Sequence, residues 1–139
     1  MTKKYLNKIL NARVYDVARE TPLEDANTLS QRLRNRILIK REDLQPVFSF
    51  KVRGAYNKLM RLSDADKKKG VIAASAGNHA QGVALAAQKL GVRATIVMPE
   101  TTPEIKVQSV AKWRPEIILQ GDDFQEAYAH AMEICADRN

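Results

Sequence analysis

Cysteine is scarce in this 139-residue chain, where Cys135 is the only one. A single cysteine cannot form an internal disulfide or a thiolate metal cluster, so we interpret Cys135 as a half-buried packing residue. The two histidines, His79 and His130, lie far apart and outside any spacing typical of metal ligands. We therefore predict no metal site.

Long apolar runs are also missing, and none approaches the ~20 residues that a membrane-spanning helix needs. The first residues, Met-Thr-Lys-Lys-Tyr, lead into a polar amphipathic stretch instead of the apolar region of a signal peptide. We therefore expect a cytoplasmic protein that does not bind a membrane.

Acidic residues are outnumbered, with 16 against 23 lysines and arginines, and the net charge is +7. The one run of three lysines, residues 67–69, closes a segment that begins Ser-Asp-Ala-Asp at residue 63. Acids in a first turn and bases in a last turn complement the helix dipole. This pattern predicts a solvated helix end, and with no recognisable binding motif we expect no nucleic-acid partner.

From residue 70 onward, apolar segments that are typical of buried strands alternate with helical ones. Strands are predicted at 71–74, 94–98 and 116–120, and helices at 79–90, from Thr102–Pro103 onward, and at 123–136. Gly91 should end the first of these helices, and Thr102 should cap the second with Pro103 as its first residue. Strands that are apolar along their length indicate an α/β fold with a parallel sheet and flanking helices.

The first 62 residues are less regular. We predict one or two amphipathic helices over 4–18, a break at Thr21–Pro22–Leu23, a helix over 24–34, a short buried strand over 36–40, a loop over 41–49 and a helix over 50–62. Because residue 139 directly follows a predicted helix, we expect the sheet to be incomplete, with an open edge.

Two motifs carry the chemistry. Ser-Phe-Lys-Val-Arg-Gly-Ala, residues 49–55, places Lys51 where an extended run becomes a helix. A lysine amine near other cations and apolar side chains can form a Schiff base with a carbonyl compound. Lys51 by itself is more typical of a surface lysine on an amphipathic helix.

The second motif is Ser-Ala-Gly-Asn-His-Ala-Gln-Gly, residues 75–82. Its small residues let backbone N–H groups approach a carboxylate, and the following helix adds its positive end. The Asn78 amide can donate to a phenolate-like oxygen. The alternative is an ordinary strand-to-helix turn with Asn78 as the N-cap.

Together with Thr21–Pro22–Leu23 and residues 40–51, these motifs resemble the tryptophan-synthase β family of pyridoxal-phosphate (PLP) enzymes. Within it they are most similar to biosynthetic threonine dehydratase (threonine ammonia-lyase). The Gln-Pro-Val-Phe that precedes Ser-Phe-Lys resembles the isoleucine-pathway enzyme, whereas the catabolic one more often has Thr-Gly there. The resemblance implies a tryptophan-synthase β-like fold, a PLP cofactor and a carbon–nitrogen lyase that forms homo-oligomers.

The resemblance also implies roles for particular residues. Lys51 would bind PLP as a Schiff base, Phe50 would pack against the cofactor ring, and Asn78 would bond its hydroxyl oxygen. The substrate carboxylate would be held by Ser75, Gly77, Asn78 and His79. The implied reaction converts L-threonine to 2-oxobutanoate and ammonia, the first step of isoleucine biosynthesis, with L-serine as a possible second substrate.

The sequence departs from the family in three places. It has no glycine-rich phosphate loop and no hydroxyl or thiol group to meet the pyridine nitrogen, and Trp113–Arg114–Pro115 replaces a glycine-containing turn. Arg114 is disfavoured if that turn needs a positive φ. We therefore expect the N-terminal portion of a longer enzyme with little activity alone, in which 1–62 belong to the large cofactor domain and 63–139 to the small domain.

Two alternatives stay open. The chain could be a non-catalytic module that associates with another chain through the open sheet edge. It could also act as a serine dehydratase or racemase, although related racemases carry a second serine where this chain has Ala76, which favours a lyase.

Overall fold

A computed structural model describes residues 3–138 of the chain. Its helices are α1 (Lys3–Leu10), α2 (Asn27–Leu33), α3 (Lys51–Met60), α4 (Asp64–Lys69), α5 (Asn78–Leu90), α6 (Glu104–Ala111) and α7 (Phe124–Asp137). Its strands are β1 (Leu23–Asp25), β2 (Leu38–Lys40), β3 (Val71–Ala74), β4 (Ala94–Met98) and β5 (Glu116–Leu119). Single 3-10 turns lie at Val14–Asp16 and Glu42–Leu44.

The predicted α/β fold is confirmed. β3, β4 and β5 form a parallel sheet in that order, with Val71 opposite Ala94 and Thr95 opposite Glu116. The central strand β4 is buried along its whole length. Because successive side chains of a strand point to opposite faces, Ile96 packs in the core shared with α5, and Val97 packs in the core shared with α7.

Helix α3 belongs to the larger of these cores. Its buried residues Ala55, Tyr56 and Leu59 join Ala80 and Val83 of α5 in one apolar cluster. The Tyr56 hydroxyl also donates to the Asp16 carboxylate at 2.8 Å, which ties α3 to the 3-10 turn at Val14–Asp16. This packing holds the start of α3 against the start of α5.

The region before α3 differs from the prediction. The helix expected over 24–34 is wrong in its first three residues, because Leu23–Asp25 pair with Leu38–Lys40 in an antiparallel hairpin and α2 begins only at Asn27. The strand expected to be buried is exposed, with 46% of the Ile39 surface accessible. Within residues 3–138 no layer covers this two-stranded hairpin.

Helix ends were predicted with mixed success. Gly91 ends α5 in the left-handed conformation at φ 65°, as expected. The Ser63 hydroxyl accepts from the Asp66 N–H at the start of α4, a cap that was not predicted. The expected cap at Thr102 is wrong. Pro103 has an extended ψ of 137° and occupies the cap position, so α6 begins at Glu104.

Arg114 adopts a left-handed backbone at φ 59°, between α6 and β5. A side chain in this conformation costs roughly 1 kcal/mol, which glycine avoids at some entropic expense. We expect Arg114→Gly to raise the free energy of unfolding by about 0.5 kcal/mol, measured by chemical denaturation. Arg93→Gly in the loop before β4 is the control. A larger rise in the free energy of unfolding there would contradict the idea that the left-handed backbone of Arg114 is the cause.

Candidate active site

Lys51 is the first residue of α3, and the chain turns sharply just before it. Phe48 has a left-handed backbone at φ 55°, and its N–H donates to the Gln45 carbonyl at 2.8 Å. The Ser49 hydroxyl then accepts from the Lys51 N–H at 3.2 Å. The Lys51 ammonium is exposed and lies 5.4 Å from the centroid of the Phe50 ring. Lys51 therefore directly follows the turn, and its ammonium lies near the aromatic ring of Phe50.

The loop at residues 75–77 follows β3 at the carboxyl end of the parallel sheet, where ligands bind in open α/β folds. The Ser75 N–H donates to Val97 of β4 at 3.0 Å, and the Gly77 N–H donates to the Ser75 hydroxyl at 3.3 Å. Gly77 is the N-cap residue of α5 and Asn78 its first helical residue. Asn78 as the N-cap of the helix is therefore wrong.

The two motifs meet at Gly82. A Cβ atom there would lie 3.1 Å from the Lys51 carbonyl carbon and oxygen and 3.3 Å from the Val52 nitrogen. Only glycine allows the first turn of α3 and the second turn of α5 to approach so closely. Gly77, by contrast, has no atom within 4 Å of its missing Cβ position, so space remains beside the loop.

His79 reports on the electrostatics of this junction. Loss of hydration lowers the pKa of its imidazole, and the positive charge of Lys51 lowers it further. A lowered pKa favours the neutral imidazole, which can still donate one hydrogen bond. The Lys51 charge is therefore close enough to act on the His79 imidazole.

A partly buried network of hydrogen bonds connects the residues around Lys51 to residues 19–21. The Glu42 carboxylate accepts from Arg53 at 2.8 and 3.0 Å and from the Thr21 hydroxyl at 2.6 Å. Gln45, which is 1% exposed, binds both the N–H and the carbonyl of Arg19 at 2.8 Å. Sequence reasoning assigned no role to these residues, because a Glu-x-x-Gln spacing on its own is common.

The Arg53 guanidinium is the main cause that lowers the pKa of Glu42, from 4.5 to about 2. A carboxylate with a depressed pKa adds stability above its ordinary pKa and loses it as the pH falls toward the lowered one. We expect the chain to lose about 2 kcal/mol between about pH 5 and about pH 2 through Glu42. Chemical denaturation of the wild type and of Glu42→Gln across that range should show that the free energy of unfolding depends less on pH in the variant.

Glu116 provides the control for this prediction. Its pKa is also lowered to about 2, chiefly by Arg138, but both partners of the pair are about half exposed. Solvent screens such surface pairs, which contribute little. Glu116→Gln should therefore change the acid profile less than Glu42→Gln does, and the reverse order would contradict the network.

A sizeable cavity lies elsewhere, at the opposite edge of the sheet. It encloses about 720 Å³ between the beginnings of the strands and the end of α7, and Lys68, Arg93 and Arg138 lie on its wall. Neither Lys51 nor any residue of the 75–82 motif lines it. We place the site at the carboxyl edge because the amine and the anion-binding loop meet there.

The α/β fold brings the backbone of Lys51 against α5, the helix that follows the loop at residues 75–77. The chain belongs to the family of pyridoxal-phosphate dependent enzymes, whose model matches residues 14–139. The residues at the junction fit the family's cofactor: Lys51 offers the amine for its carbonyl, and the exposed Asn78 amide offers a donor beside the open space at Gly77.

Particular relatives narrow this class. The chain is 56% identical over 136 residues to the biosynthetic L-threonine dehydratase of Pasteurella multocida, covering 98% of the chain and 26% of the relative. The structure of processed threonine deaminase isoform 2 from Solanum lycopersicum superposes with a TM-score of 0.91 at 55% identity, over 97% of the chain and 37% of that structure. Maize serine racemase gives 0.88 at 30% identity, over 95% and 41%.

The chain thus spans about a quarter of the length of the curated relative.

Cys135 is half-buried on α7, as predicted. Among residues 3–138, no helix has the length and apolar character to span a membrane.

Proposed function

We propose that this chain carries the cofactor lysine and the carboxylate loop of a PLP-dependent threonine ammonia-lyase. The reaction deaminates L-threonine to 2-oxobutanoate and ammonia, in the first step of isoleucine biosynthesis. The observation that supports the proposal is the close approach of the Lys51 backbone to Gly82 of α5. The names of the most similar relatives support the same substrate.

In the proposed site each group has a distinct task. Lys51 Nζ would hold the cofactor and, once the amine of the amino acid has displaced it, could accept the Cα proton in its unprotonated form. Phe50 would lie against the cofactor ring, and the Asn78 amide would donate to the ring hydroxyl oxygen. The bound cofactor supplies an electron sink for the charge that develops at Cα. The carboxylate is held at the start of α5 by Ser75, Gly77, Asn78 and His79.

The domain division is part of the proposal. Residues 1–62 would belong to the large cofactor domain and 63–139 to the small one, so that the contact between α3 and α5 is where the two meet. Because the sequence has no glycine-rich loop for the cofactor phosphate, we expect the 139-residue chain alone to turn over threonine slowly or not at all.

The test is a chimera in which this chain replaces the matched segment of the Pasteurella multocida relative. We expect the chimera to bind PLP, to form a homo-oligomer and to convert L-threonine to 2-oxobutanoate, and we expect the isolated chain to do so far more slowly. A folded chimera that binds PLP and forms no 2-oxobutanoate would sink the proposal.

Activity as a serine dehydratase or racemase is the second candidate function, and the similarity to maize serine racemase favours it. Ala76 argues against racemisation, because its methyl group packs against the core and offers no hydroxyl at that position. The same chimera separates the candidates: we expect 2-oxobutanoate from L-threonine, some pyruvate from L-serine, and no D-serine.

A non-catalytic module is the third candidate. In the described part of the chain, β3 and β5 each have one unpaired edge, which offers a template for association. Size measurements of the chain mixed with the remainder of the relative test it. A stable complex without turnover would favour the module over the enzyme.

A further inference from the structure

We propose that Glu42 is a positioning residue for Lys51. By holding Arg53 in a two-pronged ion pair, it fixes the direction in which the first turn of α3 presents the lysine to the loop at residues 75–79. The inference deepens the proposed function, since it concerns the placement of the same amine.

The first step is the geometry of the pair. Arg53 Nε donates to Glu42 Oε2 at 2.8 Å, and Arg53 Nη2 donates to Oε1 at 3.0 Å. Only 24% of the Arg53 side chain and 15% of the Glu42 side chain are exposed. A bidentate pair of this kind fixes orientation as well as distance. Arg53 follows Lys51 by two residues, so the pair acts on the turn that carries the lysine.

The second step is that Glu42 is itself immobilised. Thr21 donates to Oε1 at 2.6 Å, and the Gln45 amide lies 3.3 Å from both oxygens. Gln45 is fixed in turn by two hydrogen bonds to the Arg19 backbone, and Arg53 Nη2 reaches the same carbonyl at 3.1 Å. The carboxylate is therefore anchored to residues 19–21, a part of the chain separate from α3.

The third step concerns the first turn of α3. The later part of the helix is held by the packing of Ala55, Tyr56 and Leu59, and Gly82 sets how near α3 comes to α5. No side chain caps the helix start at Phe50. The ion pair between Arg53 and Glu42 therefore adds a side-chain constraint on the turn that carries the lysine, without any contact between Glu42 and Lys51 itself.

The experiment uses the wild-type chain and traps pyridoxal phosphate on lysines with borohydride. Peptide mass spectrometry gives the labelling rate at Lys51 relative to Lys58, an exposed lysine later on the same helix. We expect Glu42→Gln to lower this ratio about ten-fold, since small misplacements of a reacting group are costly. Asp43→Asn is the matched control, because Asp43 pairs with Arg41 and not with α3, and its ratio should stay at the wild-type value.

Each outcome is decisive. An unchanged ratio in folded Glu42→Gln overturns the positioning role. If that variant does not fold, Arg53→Lys takes its place, because it keeps the charge and loses the fork; it should show the same fall, and an unchanged ratio overturns the role equally. A wild-type ratio near one would defeat the proposed function together with this inference, whereas a high wild-type ratio with no effect of Glu42→Gln would defeat this inference alone.

Discussion

Replacing Lys51 with alanine is expected to lower threonine turnover by the chimera at least about a thousand-fold, because the amine serves as both cofactor anchor and proton acceptor. In the isolated chain, the same substitution should remove the preferential labelling by pyridoxal phosphate. Lys51 is exposed at the start of α3, so its loss should leave the core intact. Turnover of 2-oxobutanoate and unfolding by denaturant are the two measurements.

Lys58→Ala is the matched control. Lys58 lies on the same helix and is also exposed, outside the buried face formed by Val52, Ala55 and Leu59. We expect this variant to keep turnover within about two-fold of the parent. If Lys51→Ala keeps most of the activity while Lys58→Ala loses it, the cofactor lysine has been assigned to the wrong residue.

The second half of the fold was predictable because local patterns and tertiary structure agree there. β4 reads Ala-Thr-Ile-Val-Met and is buried on both faces, as an apolar strand in a parallel sheet must be. Gly91 ends α5 because its left-handed backbone favours glycine. In such segments each residue type matches the conformation that its neighbours require.

The first half was less predictable, because long-range pairing overrides local preference there. Glu24 and Asp25 were expected to be helical, yet they pair with a strand that follows α2. Pairing of this kind leaves no periodic signal in such short segments. Phe48 has a left-handed backbone that its residue type does not suggest.

The residues of the candidate site were predicted from the sequence. The residues that hold them in place through hydrogen bonds were not. Lys51 and the loop at 75–79 stand out through residue type and spacing. Glu42 and Gln45 act through partners at Arg19, Thr21 and Arg53, and only the folded chain brings these together. Hydrogen-bond networks between distant segments have no local signature, so they were invisible until the structure placed them.

Gly82→Val is expected to destabilise the chain by about 3 kcal/mol and to reduce labelling of Lys51. The new Cβ would sit 3.1 Å from the Lys51 carbonyl and 3.3 Å from the Val52 nitrogen. These atoms are backbone and cannot rotate aside, so α3 and α5 must separate, at the cost typical of overpacking. Denaturation measures the stability, and the ratio of labelling at Lys51 and Lys58 measures the geometry.

Gly54→Val separates this effect from the general cost of changing a helical glycine. Gly54 lies in α3, is exposed, and has no atom within 4 Å of its missing Cβ position. Since valine has a somewhat better helix propensity than glycine, this variant should be neutral or slightly more stable. Equal effects at the two glycines would mean that the helices do not meet at Gly82. The amine would then have no fixed relation to the loop that is proposed to bind the substrate.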